Sequence, residues 1–205
     1  MSTWTADALR DFLERTSKSG DRYHALWVLL ATTGMRRGEA LGLRWRDLEL
    51  ETGTAAVVQT VIVVAHRVQF GAPKTARGTR VVDLDSGTIA VLRAHRIRQL
   101  EERILLGAGW RDHDLVFCKV DGEPLHPERV SREFLRRIER WSLPPLTLHG
   151  LRHTWATLAL KAGVHPKVVQ ERLGHATIGI TLGVYSHVTA GMQRDAANTV
   201  AALLL

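Results

Sequence analysis

Sulfur chemistry is almost missing from this sequence. Cys118 is the one cysteine among 205 residues. No internal disulfide can form, and without a CxxC pair neither a disulfide scaffold nor a cysteine zinc site is available. Long apolar runs are missing too: nothing approaches the roughly 18 consecutive apolar residues of a membrane-spanning helix. The opening MSTWTADALR lacks the basic-then-apolar order of a secretory signal. The cytoplasm is the expected location, with no membrane partner. Lysine is scarce, at positions 18, 74, 119, 161 and 167 only. No internal repeat or low-complexity linker interrupts the chain, so residues 1–205 are expected to form one domain.

What the chain has is arginine. Lys+Arg number 28 against 21 Asp+Glu, a formal net charge of +7, and the pI is near 10.3. That balance raises the prior for a nucleic-acid partner, and arginine suits two-pronged phosphate contact. A basic protein from a GC-rich genome would have the same composition. Apolar residues at 45% and charged residues at 24% fit a globular protein.

The pattern predicts a mainly helical α+β fold with a small antiparallel sheet of about three strands. Thr5 caps a first helix, with Trp4 set to staple on Leu9. Residues 21–34 read as a nearly apolar, central helix stopped by Gly34, and Arg36–Leu43 as a short third one. The β-branched run TAAVVQTVIVV (54–64) reads as a strand. Residues 68–84 read as two more strands around a turn holding Pro73, Lys74 and Gly78. Asp85 or Ser86 caps a long helix to about Leu106. LVFCKVDGEPL (115–125) holds an Asp-Gly turn, and helices are expected near 127–141, 151–162, 166–173, 178–185 and 190–204.

Six polar groups interrupt apolar or helix-ending contexts: Arg36, Lys74, His149, Arg152, His175 and Tyr185. Glu39, three residues after Arg36, shares its helix face and can orient its guanidinium; a surface Arg–Glu pair of little worth is the alternative. His149 and Arg152 share a face near a helix start, where N–H groups favour anions. A metal reading needs something like HExxH, but Gly150 follows His149 and no third ligand is evident. Tyr185 ends a short helix ten residues after His175; alone, it reads equally as a half-buried core tyrosine. Together, two arginines, two histidines, a lysine and a tyrosine describe a phosphoryl-transfer site. The arginines would neutralise the non-bridging oxygens, the tyrosine would attack phosphorus, and an acid and a base would move the protons.

The order TGMRRGE (33–39), PKT (73–75), HGLRHTWAT (149–157), LGH (173–175) and Tyr185 resembles the tyrosine recombinases, the phage-integrase family, over about residues 4–190. The resemblance implies that Arg36 and Arg152 clamp a scissile phosphate and that Glu39 steadies Arg36. It implies Lys74 as general acid for the leaving 5′-oxygen and His149 as acid/base. His175 would bond the phosphate, and Tyr185 would be the nucleophile that forms a 3′-phosphotyrosine. His153 is implied as structural support. No metal, ATP or other cofactor is implied. The implied partner is a double-stranded DNA recombination site, held by four protomers on two duplexes. Without DNA the chain would be a monomer or weak oligomer, and residues 190–204 would dock on a neighbour or fold back on their own core.

Two departures stand out: Gly150 where Asp is more usual, and Gly183-Val184 where a more polar pair is common. Neither touches the six positions. Only about 30 residues precede Arg36, so the chain is expected to be a catalytic domain without the family's N-terminal DNA-clamping domain. Arg67, Arg77, Arg80 and Arg129 are candidate phosphate contacts, or equally a solvated face. Three other classes compete: a DNA-binding regulator that has lost the chemistry, a type IB topoisomerase, and a metal nuclease. Six intact positions argue against the first and the HGLRH…LGH…Tyr spacing against the second. Activity in EDTA would exclude the third.

Overall fold

A computed structural model of the chain describes residues 2–73, 78–174, 179, 198, 200–202 and 204. The described residues form helices α1 (Ala6–Lys18), α2 (His24–Thr33), α3 (Arg37–Gly42), α4 (Ser86–Leu106), α5 (Pro127–Arg140), α6 (Leu148–Lys161) and α7 (Pro166–Leu173). They also form strands β1 (Leu48–Glu49), β2 (Thr54–Val57), β3 (Thr60–Val64), β4 (Arg67–Gly71) and β5 (Arg80–Asp83). The fold is mainly helical with small antiparallel sheets, as expected. No described helix is long and apolar enough to cross a membrane.

Helix α2 is the hub. Every residue from Ala25 to Ala31 is buried, and α1, α4 and α6 pack around it. A helix apolar on all sides has to be surrounded, which is why the others are amphipathic. On α5, Val130, Phe134 and Ile138 recur every four residues and are all buried. Trp4, Phe12, Trp27 and Phe134 form one aromatic knot, with ring centroids 5.2–6.2 Å apart. Trp4 therefore does more than staple α1: its indole N–H also donates to the Pro144 carbonyl at 2.8 Å.

Local signals set the helix ends. The hydroxyls of Thr5 and Thr147 accept from the backbone N–H groups of Ala8 and Gly150, and the Asp85 carboxylate from that of Thr88, each satisfying a donor that the first helical turn leaves open. Because Thr147 is the cap, α6 begins at Leu148 and not at 151. It therefore includes His149 in its first turn. Helix α2 starts at His24, later than 21, because the Asp21 carboxylate turns inward to accept from the Tyr23 N–H and the Trp27 indole. Gly34 ends α2 in the left-handed conformation, φ 67°, where glycine carries no steric cost.

The run 54–64 is not one strand. β2 pairs with β1 and β5 in a three-stranded antiparallel sheet, order β1-β2-β5, while among the described residues β3 pairs with β4 alone. The break falls at Val58-Gln59, where the Gln59 amide turns back to donate to the Gly42 carbonyl at 2.8 Å. The β3–β4 hairpin closes through Ala65 and His66, both at positive φ, as a two-residue turn matching strand twist requires. A smaller core, Ala156, Leu160, Val169 and Leu173, seats α7 on α6. The helices expected over 178–185 and 190–204 lie outside the described residues apart from scattered positions.

Candidate functional site

The site begins where α2 stops. After Gly34 the chain runs extended through Arg36, which caps α3. Glu39 reaches back, its Oε2 accepting from the Arg36 backbone N–H at 2.9 Å and its Oε1 from the Arg36 guanidinium at 2.7 Å. This satisfies the helix start and fixes one edge of the guanidinium together. Glu39 is 3% exposed, whereas the Arg36 side chain keeps 41% of its surface open. Arg80 approaches Glu39 from β5, donating to Oε2 at 2.9 Å and Oε1 at 3.2 Å. Burial alone would raise the Glu39 carboxyl. Hydrogen bonds and charge from Arg80, then the bonds from Arg36, outweigh it and hold the carboxyl below its ordinary range.

Arg152 comes from the second turn of α6 and is 4% exposed. Its guanidinium donates to the Gly34 carbonyl at 2.8 Å and the Leu173 carbonyl at 2.7 Å. Arg36 donates to the next carbonyl, that of Gly174, at 3.2 Å. The two arginines, 116 positions apart in sequence, thus meet on consecutive carbonyls at the left-handed end of α7. A helix C-terminus carries partial negative charge on its unsatisfied carbonyls, so it adds to Glu39 in gathering the two cations. Close packing makes this possible: a Cβ on Gly34 would stand 2.8 Å from the Leu173 side chain.

His149 lies beside this pair. It lines a cleft of about 500 Å³ with Arg36, Arg37 and Thr147. Arg36 and Arg37 also line a second cleft of about 580 Å³, with Thr60, Ile62, Pro73 and Gly78. Arg37 donates to the Ser131 hydroxyl at 2.5 Å. Desolvation comes first for His149, although its side chain is exposed by area. The charges of His153, Arg152, Arg36 and Arg37 follow, and its pKa falls to about 4. A neutral imidazole at neutral pH can accept a proton. The His153 ring meets that of His149 edge-on, centroids 4.7 Å apart. Burial, then the charge of Arg152, also lowers the His153 pKa. A cavity of about 650 Å³ adjoins both histidines, but Leu135, Ile138, Leu143 and Leu146 line much of it, an apolar wall unsuited to phosphate.

Of the residues predicted from sequence, the fold brings together Arg36, Glu39, His149, Arg152 and His153. Lys74, His175 and Tyr185 lie outside the described residues. So does Arg77; Pro73 and Gly78, the described residues on either side, line the second cleft. Arg67 and Arg129 are exposed. Arg80 stands on no solvated face: its side chain is 8% exposed and donates to the Glu39 carboxylate and to the Gly78 and Arg172 carbonyls. The sequence did carry a signal for this. Arg80 stands two residues before the buried Val82, and residues two apart share a strand face. Arg172 was missed as well. It donates to the Thr32 and Asp83 carbonyls and lies 5.2 Å from the Trp155 ring centroid, fastening α7 to α2, β5 and α6.

Comparison with known proteins points the same way. The profile of the phage integrase family matches residues 3–192. A tyrosine recombinase XerC-like protein of Caldanaerobacter subterraneus subsp. tengcongensis is 32% identical over 193 residues, 88% of this chain and 49% of that protein. The Tn1549 transposon integrase, solved in complex with transposon right end DNA, superposes with a TM-score of 0.83 at 23% identity, covering 98% of this chain and 66% of that one. The XerH site-specific recombinase, solved bound to palindromic difH substrate, gives a TM-score of 0.68 at 27% identity, covering 96% and 52%. The chain spans about half the length of the curated relatives it matches.

Proposed function

The chain belongs to the phage integrase family, and from that premise we propose that it is the catalytic domain, over residues 1–205, of a site-specific DNA recombinase. Its substrate is a double-stranded DNA recombination site, with four protomers assembling on two duplexes. The observation that carries the reading is the convergence of Arg36 and Arg152 on the Leu173 and Gly174 carbonyls, with His149 on the same cleft as Arg36. The residue following these carbonyls is His175.

The chemistry follows from charge and proton state. A phosphodiester brought against Arg36 and Arg152 gains donors that a five-coordinate phosphorus uses more strongly than the ground state. The Tyr185 hydroxyl attacks phosphorus and gives up its proton, which the neutral His149 ring can take. The bond from phosphorus to the 5′-oxygen breaks, and Lys74 supplies a proton to that oxygen. A 3′-phosphotyrosyl ester and a free 5′-hydroxyl result. Attack on the ester by a 5′-hydroxyl of the partner duplex reverses these steps and rejoins the strand. The bond energy stays in the ester, so no ATP is consumed, and the named residues supply the positive charge and the protons. His175 bonds the phosphate, Glu39 steadies Arg36 and His153 supports His149.

The test uses nicked random-sequence duplexes, from which a cut fragment diffuses away and traps the enzyme. An SDS-stable adduct on Tyr185, formed in EDTA and mapped by mass spectrometry, is the expected result. Tyr185→Phe is expected to lose the adduct and keep DNA binding, since only the nucleophilic oxygen is removed. An adduct in that variant, or one on another residue, would sink the assignment.

A further inference from the structure

Glu39 is buried between two arginines that face different surroundings. Its four contacts are divided evenly: Arg36 supplies a backbone and a guanidinium donor, and Arg80 supplies two guanidinium donors. Arg36 opens on two clefts, while Arg80 is enclosed. The Arg80 Nε also donates to the Arg172 carbonyl in the last turn of α7 at 2.7 Å, and Nη1 to the Gly78 carbonyl at 3.1 Å. One buried guanidinium therefore touches the start of α3, the end of α7 and Gly78.

Charge explains why a second arginine is needed. A carboxylate 2.7 Å from a guanidinium orients it, but it also cancels the charge that a phosphate on the other side would feel. In a low-dielectric surround that cancellation is strong. A second cation on the same carboxylate restores a net positive triad. We infer that Arg80 is a positioning residue for Arg36, neutralising Glu39 so that the carboxylate can orient Arg36 without weakening its hold on a phosphate. The inference rests on the strand-cleavage reading above and assigns Arg80 no contact with DNA.

The test compares Arg80→Met, Arg80→Lys, Glu39→Gln and the Arg80→Met/Glu39→Gln double variant in the full chain. Two quantities are read: the rate of adduct formation per folded molecule bound to nicked duplex, and the titration of the Glu39 carboxyl by NMR. In Arg80→Met the DNA affinity should hold, the adduct rate should fall about a hundredfold, and Glu39 should titrate at higher pH. Arg80→Lys, which keeps the charge, should recover most of the rate. The double variant should be no slower than Glu39→Gln alone, because Arg80 acts through that carboxylate. Arg80→Gln replaces Arg80→Met if the latter does not fold. An unchanged rate per folded molecule, losses that add in the double variant, or an unmoved Glu39 titration would each overturn the inference. A wild-type chain that forms no adduct defeats the strand-cleavage reading instead, and the Glu39 titration still judges Arg80 separately.

Discussion

Asp21 and Glu39 are both buried carboxylates held by arginine, and they serve different ends. Asp21 accepts from Arg137 at 2.5 and 2.6 Å, from the Trp27 indole at 2.9 Å and from the Tyr23 N–H at 3.0 Å. Arg137 is then used up. It also bonds Glu133 and lies over the Tyr23 and Trp27 rings, and its side chain is 17% exposed. Glu39 has as many donors, but one of its arginines keeps an open edge on a cleft. Burial is alike at the two places, but Asp21 pairs with one arginine and Glu39 with two. What separates Arg36 from Arg137 is the surface that Arg36 keeps open on a cleft.

The largest expected effect tests the closed member. Asp21→Ala leaves Arg137 buried without its main partner and should destabilise the fold by about 3–5 kcal/mol, read from urea denaturation. Adduct formation per folded molecule should not change; a loss at constant folded fraction would break the comparison. The acid limb gives the sign. Burial would raise the Asp21 carboxyl, but bonds from Arg137, Tyr23 and Trp27 prevail and lower it. Its contribution is thus present above the unfolded value, about 4, and is lost as pH falls through the lower folded value. Asp21→Ala should lose less stability over that acid range than the wild type.

The open member should respond the other way. Arg36→Lys keeps a charge but loses the flat fork, so adduct formation should fall about a hundredfold. Stability should change by less than about 1 kcal/mol, because the side chain is partly solvated. A stability loss as large as that of Asp21→Ala, with cleavage intact, would make Arg36 a second fastening. The smallest effect concerns His149. It loses its proton at about 4 in the folded chain and at about 6.5 when unfolded. Between those values the unfolded chain binds more protons, so this stabilising share is full above about 6.5 and fades as pH falls toward 4. His149→Gln should remove that slope, seen as a smaller shift in the urea midpoint between pH 7 and pH 5.

Much of this was legible before folding. Thr5, Gly34 and Asp85 mark helix ends by chemistry that acts within four residues, and each stands where the pattern placed it. The division of 54–64 was not legible, because β-branched residues favour any strand and do not name its partner. Nor was the role of Arg80. Its partners come from α3, α7 and Gly78, and α3 and α7 lie too far along the chain to leave a periodic trace beside it.

By itself the sequence determined the order of the described helices, the ends marked by Thr5, Gly34 and Asp85, and the set of polar residues that interrupt apolar helices, since each depends on neighbours along the chain. Tertiary structure alone decided that Arg36 and Arg152 share the end of α7 and that Glu39 takes a second arginine. These depend on which surfaces lose water when α6 and α7 close over α2. Charge alone cannot foretell whether an arginine will be spent inside the protein or left for a phosphate; that is settled by the packing around it.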